Sequence, residues 1–224
     1  MYRLYIANKN YSSWSLRPWV LMRELGIAFV ETLVPFGKPG AFRAFSPSGR
    51  VPCLHDGKLV IWDSLAIVEY LAECYPSVWP ADPTARAWAR SAAAEMHSGF
   101  AGLRNICSMN CGLRLQIDEY PQDLLVDLAR IDELWSDGFA RFGGPFLAGA
   151  TFTAVDAFFA PVAFRVQTFA LELAELPGRY VNRLLVLPAM QEWYNAALGE
   201  VWRDEQHERE ILQVGSLLAD LRQA

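Results

Sequence analysis

Three prolines fall within eight positions, Pro76, Pro80 and Pro83, and the hydrophobic pattern differs on their two sides. Proline lacks an amide donor and clashes with the preceding turn of a helix, so neither a helix nor a strand is expected to run through Tyr75 to Thr84. Before this stretch, short apolar runs alternate with segments of helical period. After it, every long segment reads as helix and no strand pattern competes. The chain therefore divides into an N-terminal domain over 1–78, a linker over 79–86 and an all-helical domain over 87–224.

The first part reads as a strand (Tyr2 to Ala7), a loop (Asn8 to Trp14), and a helix from Ser15 to about Leu25. Ser15 is a candidate N-cap, Pro18 then lies in the first turn, and Gly26 suits the left-handed position after the last turn. A strand over Phe29 to Val34 follows, then a short helical piece around Ala41 to Phe45. Val51 to His55 and Lys58 to Trp62 flank Asp56-Gly57, a hairpin signal. Asp63-Ser64 opens a helix to about Cys74, and the order is βαβαββα. In the second part Leu124, Leu128, Ile131 and Trp135 step by 4, 3 and 4 along one helix face. Further helices are expected near Ala85 to Cys111, Ala154 to Phe169, Pro188 to Leu198 and Glu205 to Leu221.

Charge follows the same division, with eight Lys or Arg against six Asp or Glu through residue 80 and twelve against nineteen beyond it. This acidic balance argues against a nucleic-acid surface, which needs a basic patch. The longest apolar stretch, Phe152 to Phe164, is interrupted by Thr153, Asp156 and Pro161 and falls short of the ~20 residues of a membrane span. The run beginning Met1-Tyr2-Arg3 is too short for a secretory signal. Four cysteines (Cys53, Cys74, Cys107, Cys111) are too sparse for a disulfide scaffold and lack zinc-ligand spacing, so a reducing cytosol and no metal are expected.

Four motifs then stand in order: Ser12-Ser13-Trp14-Ser15 after the first strand, Ser46-Pro47-Ser48-Gly49-Arg50-Val51-Pro52-Cys53-Leu54, Asp63-Ser64-Leu65-Ala66-Ile67, and Thr153-Ala154-Val155-Asp156. With this order and spacing the whole chain resembles the cytosolic glutathione transferases, in which a thioredoxin-like domain precedes an all-helical one. The serine tetrad most resembles the Ser-Ser-Cys motif of the zeta class, which includes maleylacetoacetate isomerases; Trp14 stands where that cysteine would be.

The resemblance implies a role for each motif. Ser12, or Ser13 if the loop differs by one residue, would donate a hydroxyl to the glutathione sulfur at a helix start whose amides favour an anion. Isolated serines more often satisfy loop and helix-end amides, and that reading is kept for Ser15. Trp14 would lie beside glutathione, the Val51 backbone would pair with the peptide through a cis Val51-Pro52 bond, and Asp63 and Ser64 would hold its γ-glutamyl end. Lys38, and less so Arg50, would neutralise its glycyl carboxylate. Thr153 and Asp156 form a capping-box pattern with a folding role. Met96, Phe100 and Arg104 recur every fourth residue, with His97 one step round, as lining for a small, mostly apolar electrophile. Asn110 lies near the same helix.

The expected function is a glutathione transferase and homodimer with glutathione as co-substrate. The alternatives are a glutathione-dependent cis-trans isomerase of the maleylacetoacetate type and a non-catalytic binding or regulatory protein of the same fold. A redox enzyme with a cysteine nucleophile is disfavoured, because no cysteine lies in the loop after the first strand.

Overall fold

A computed structural model describes residues 1–223. The N-terminal part is a four-stranded sheet in the order β2-β1-β3-β4, built from β1 (Tyr2–Ile6), β2 (Phe29–Leu33), β3 (Cys53–Asp56) and β4 (Leu59–Ile61). β1 runs parallel to β2, from Tyr2 opposite Phe29 to Ile6 opposite Leu33, and antiparallel to β3. The parallel pair requires a crossover, supplied by α1 (Ser13–Glu24). β3 and β4 close through Gly57-Lys58, one residue later than expected. Asp56 pairs with Leu59, and Gly57 takes φ +56° at the first central position, where such two-residue loops demand a positive φ. α2 (Ser64–Cys74) follows, and Ala41–Ala44 forms a single 3₁₀ turn. The fold class is as read: a thioredoxin-like mixed sheet with helices, followed by a helical domain.

α1 starts two residues before the expected position, with Ser12 and not Ser15 at the N-cap. Pro18 therefore lies past the first turn and removes the helical donor for the Trp14 carbonyl. Gly26 ends the helix at φ +66°, as its place after Leu25 implied.

The second part contains α3 (Pro83–Ser98), α4 (Ala101–Ile106), α5 (Gln122–Phe142), α6 (Ala154–Phe169), α7 (Glu175–Leu185), α8 (Pro188–Leu198) and α9 (Glu205–Leu212). α6 is buried along nearly its whole length. Leu124, Leu128, Ile131 and Trp135 are buried on one face of α5, and Gly138 carries that face close to Trp88, whose ring lies 2.6 Å from where a Cβ would sit.

Two expected helices fail here. The single helix over Ala85 to Cys111 is broken at Gly99 and Phe100, the latter at φ 57°. The last helix stops at Leu212, and Ser216–Asp220 forms β6, antiparallel to β5 (Leu113–Gln116). Helical period had hidden both strands: Leu113 and Leu115 alternate inward over only four residues, and Leu217, Leu218 and Leu221 read as a helical stripe. α7 was not foreseen. No helix is long and apolar enough to cross a membrane among the described residues.

The two parts share one core. α1 packs against α6 and α8, with the Trp19 and Trp193 rings edge to face at 5.1 Å.

Candidate active site

The loop from Asn8 to Ser12 is held from several sides before it enters α1. The buried Glu200 carboxylate accepts the Lys9 amide at 2.6 Å and the Asn10 amide at 3.2 Å, and the Trp193 indole donates to the Lys9 carbonyl at 2.8 Å. Asn8 Oδ1 accepts the Phe36 amide at 2.8 Å, joining the loop to the segment after β2. The Lys9 ammonium is buried yet paired, 2.8 Å from Glu31.

This framework sets one wall of a cavity of about 530 Å³, within the range of ~300–1,000 Å³ usual for small-ligand sites. Ser12, Ser13 and Trp14 lie on that wall, and Arg50 and Val51 join them from the segment before β3. Ser12 is 5% exposed and its hydroxyl hydrogen-bonds Ser15 Oγ at 2.7 Å, while Ser15 Oγ accepts the Ala7 amide. Ser15 thus satisfies a strand-end amide from inside the helix. Ser13 is half-buried and is the freer of the two hydroxyls. The Val51–Pro52 bond is cis, as the motif implied, and the Trp62–Asp63 bond is also cis.

Asp63 caps α2, accepting the Leu65 amide at 2.9 Å and the Ala66 amide at 3.5 Å. Its other oxygen meets His97 Nε2 at 3.3 Å. Burial, with Arg17 and Arg104 nearby, pulls the His97 pKa down against the pull of Asp63. Ser64 is fully buried at the first position of α2, and its Oγ has no hydrogen-bond partner.

Several expected residues are elsewhere. Met96 is fully buried in the core and is not on the cavity wall. Phe100, turned by the helix break, packs edge to face against Phe159. The break destroys the four-residue stripe on which both assignments rested; of that group Arg104 reaches the cavity, and His97 sits behind it against Trp14, rings at 5.2 Å. Of the two loop cations, Arg50 is on the wall, and Lys38 is exposed and outside the lining. Asn110 is a buried turn residue whose side chain accepts the Gly112 and Leu113 amides. Thr153 and Asp156 form the capping box, with the Leu147 amide and Tyr180 hydroxyl also donated to Asp156.

Residues outside the motifs complete the cavity. Tyr11, Phe36 and Phe42 line it from the first domain, Ser108, Met109 and Arg165 from the helical domain, and His207 and Glu210 from α9. His207 stacks between Tyr11 and Phe36 at 5.2 and 5.3 Å, so α9 folds back over the site. Arg165 carried a signal in sequence: it is the one charge between Asp156 and Phe169 in an otherwise apolar helix. No group of side chains suited to a metal ion exists among the described residues.

A thioredoxin-like sheet and a helical domain meet at a cavity lined by the Ser12-Ser13-Trp14 loop and by Arg50 and Val51, while Asp63 and Ser64 at the α2 start lie outside that lining; the sheet, the helical partner and the serine loop at a helix start are the arrangement of a thiol-peptide transferase. Residues 11–74 match the family profile of the glutathione S-transferase N-terminal domain and residues 114–196 that of the C-terminal domain. The chain belongs to the glutathione S-transferase family. It is 32% identical to glutathione S-transferase T1 of Arabidopsis thaliana over 159 residues, which span 63% of this chain and 65% of that relative. It is 26% identical to a probable maleylacetoacetate isomerase of Caenorhabditis elegans, covering 81% of this chain and 85% of the relative. Among solved structures, the theta-class glutathione S-transferase of Xanthomonas axonopodis pv. citri, with glutathione bound, superposes with a TM-score of 0.63 at 28% identity, covering 86% of this chain and 96% of that one.

Proposed function

We propose that the cavity binds glutathione with its sulfur at the Ser12-Ser13 loop and that the protein adds the resulting thiolate to a small electrophile. The observation that carries this reading is Ser64: a fully buried hydroxyl at a helix start with no partner in the protein is a costly arrangement unless a ligand completes it. A carboxylate is the fitting acceptor for that hydroxyl, since the α2 dipole favours an anion there, the Leu65 and Ala66 amides being already taken by Asp63. Asp63 faces the ammonium of the same γ-glutamyl end, and Val51 offers its backbone to the peptide.

A free thiol with pKa ~8.5 is only a few per cent ionised at pH 7. Lowering that value by one unit takes ~1.4 kcal/mol of preferential stabilisation of the thiolate, within reach of one hydroxyl donor and the α1 amides. The thiol proton leaves to solvent; a C–S bond then forms as the carbon–halogen bond of an aryl halide breaks and halide departs, or as the π bond of an activated alkene breaks and its other carbon takes a proton from solvent. Ser12 is the proposed donor and Ser13 the second candidate. Glutathione-dependent cis-trans isomerisation is the alternative, favoured by the nematode relative. Trp14 in place of the zeta cysteine weighs against it.

The test is retention on immobilised glutathione, followed by a screen of the eluted protein against aryl halides, activated alkenes, peroxides and cis-enone acids. Turnover in the first two supports transfer, and turnover of the enone acids alone supports isomerisation. Retention without turnover of any class supports a binding protein, and failure to bind glutathione sinks the proposal. A homodimer is the proposed assembly, cyclic dimers being the commonest closed homo-oligomers; a monomer mass by light scattering at micromolar concentration would refute it. The cytosol is the proposed compartment, consistent with four unpaired cysteines, three of them buried.

A further inference from the structure

Two arginines stack on the Trp14 indole and a third, Arg165, lies near both; Asp63 is the carboxylate whose charge is felt by the group, at Arg17. The guanidinium of Arg17 lies 4.2 Å from the ring centre and that of Arg104 at 4.5 Å, and Arg17 is also 4.9 Å from the Phe158 ring. Arg165 approaches from α6. Arg17 is 1% exposed and Arg165 4%. Their hydrogen bonds within the protein go to backbone carbonyls alone: Arg17 to Met96, Arg104 to His97 and Gly99, and Arg165, through Nε, to Cys107. Nε and Nη1 of Arg17 are buried with no partner at all. None of the three is in an ion pair among the described residues.

Other buried cations in this protein are treated differently. Lys9 has Glu31, and Arg222 has Glu208 and Asp220. A charge removed from water carries a large desolvation cost that a paired carboxylate offsets, and a backbone carbonyl offsets only in part. Burial lowers the pKa of all three arginines, Arg165 to about 10, which leaves it protonated at neutral pH. Arg104 and Arg165 both line the cavity, from α4 and α6 of the helical domain. Glu210 is the one carboxylate on the wall; it belongs to α9 and accepts Gln206 Nε2 at 2.8 Å.

We propose that the electrophile handled by this cavity is anionic, carrying a carboxylate that seats against Arg104 and Arg165, with Arg17 reinforcing the positive field behind Trp14. This rests on the glutathione reading and replaces the mostly apolar electrophile expected from Met96 and Phe100, both of which lie in the core. Glutathione's own carboxylates are assigned to Ser64 and Arg50, on the thioredoxin-like side. The arginine cluster sits on α1, α4 and α6, where the second substrate meets the sulfur. Guanidinium matches carboxylate through paired N–H donors, so the site selects an acid over a neutral molecule of the same shape.

The experiment is calorimetry with three ligands: glutathione, S-hexylglutathione and S-(5-carboxypentyl)glutathione, whose chains differ in ending in a methyl or a carboxylate. The acid conjugate is expected to bind the wild-type protein at least tenfold more tightly than the hexyl conjugate. In Arg165→Gln and in Arg104→Gln that advantage is expected to fall below threefold, with the glutathione dissociation constant within twofold of wild type. Arg104 is half-exposed, so the second variant keeps the test valid if the first does not fold. Glutathione binding with no preference for the acid would overturn this proposal alone. Equal weakening of all three ligands in both variants would also overturn it, by assigning the cluster to glutathione itself. Binding of none of the three by the wild-type protein would overturn the glutathione reading and this one with it.

Discussion

At the level of single side chains, the serines divide by what already occupies their hydroxyls. Ser15 holds the Ala7 amide, Ser12 leans on Ser15, Ser13 is free on the cavity wall, and Ser64 is buried without a partner. Ser64→Ala should raise the glutathione dissociation constant about ten- to hundredfold, since a hydrogen bond to a charged group is worth ~1.5–3 kcal/mol. Titration calorimetry reads this directly, and an unchanged constant would leave the buried hydroxyl with no ligand to explain it. Ser12→Ala should act on rate more than on affinity, lowering kcat about tenfold or more with KM for glutathione little changed. The acid limb of its kcat/KM profile should move to higher pH, because the thiolate loses a donor and its pKa rises. If Ser13→Ala shows this behaviour while Ser12→Ala stays near wild type, the donor is one residue on; full activity in both variants ends the serine mechanism.

Among the secondary-structure elements, legibility in the sequence tracked how local the determining contacts are. The α2 start was readable because Asp63 caps its own helix, and the α6 start because Thr153 and Asp156 are three residues apart. β5 and β6 were not, since a four-residue strand becomes one only through a partner about a hundred residues away. The α3–α4 break was missed because Phe100 in the left-handed region is stabilised by packing on Phe159, not by its neighbours in sequence. For the same reason the motif residues of the cavity were found and Arg165 and His207 were not.

The α6 capping box also yields a pH prediction. Asp156 is fully buried, and desolvation outweighs the donors from Leu147, Thr153 and Tyr180, pushing its pKa up to about 6. A carboxyl whose folded value exceeds its unfolded value, ~3.9, binds the extra proton in the native state between those limits. Its contribution to stability is therefore complete below about pH 4 and is lost as pH rises toward 6. Asp156→Asn should abolish this dependence, so the melting temperature of wild type minus variant should fall between pH 4 and 6 and then level off. A difference that rises with pH would mean that the four hydrogen bonds win over burial. Asp156→Ala, which strands four buried donor groups, should cost roughly 4 kcal/mol or more at any pH.

Across the whole molecule, α1 is the element both halves need. It is the crossover that permits the parallel β1–β2 pair, it opens at the serine loop, and its buried face meets α6 and α8 of the helical domain. Trp19 on α1 touches Trp193 on α8, and Glu200 just beyond α8 holds the Lys9 and Asn10 amides on the other side of the domain junction. Removing the helical domain would therefore expose tryptophan surface and leave two buried amides unpaired, so neither half has a separate stable core. Proteins of two domains often unfold in steps. Here a single transition is expected, with tryptophan fluorescence and far-ultraviolet circular dichroism superimposing in urea. Glu200→Ala should lower the midpoint without splitting the curve, by roughly 2–6 kcal/mol of lost stability from two buried amides left unsatisfied at ~1–3 kcal/mol each. It should also lower turnover, although Glu200 is not on the cavity wall, because the freed loop carries Ser12 and Ser13. Two separable transitions in the wild-type protein, or Glu200→Ala with a lowered midpoint and undiminished turnover, would show that the domains fold apart and that the loop holds its shape without the second domain.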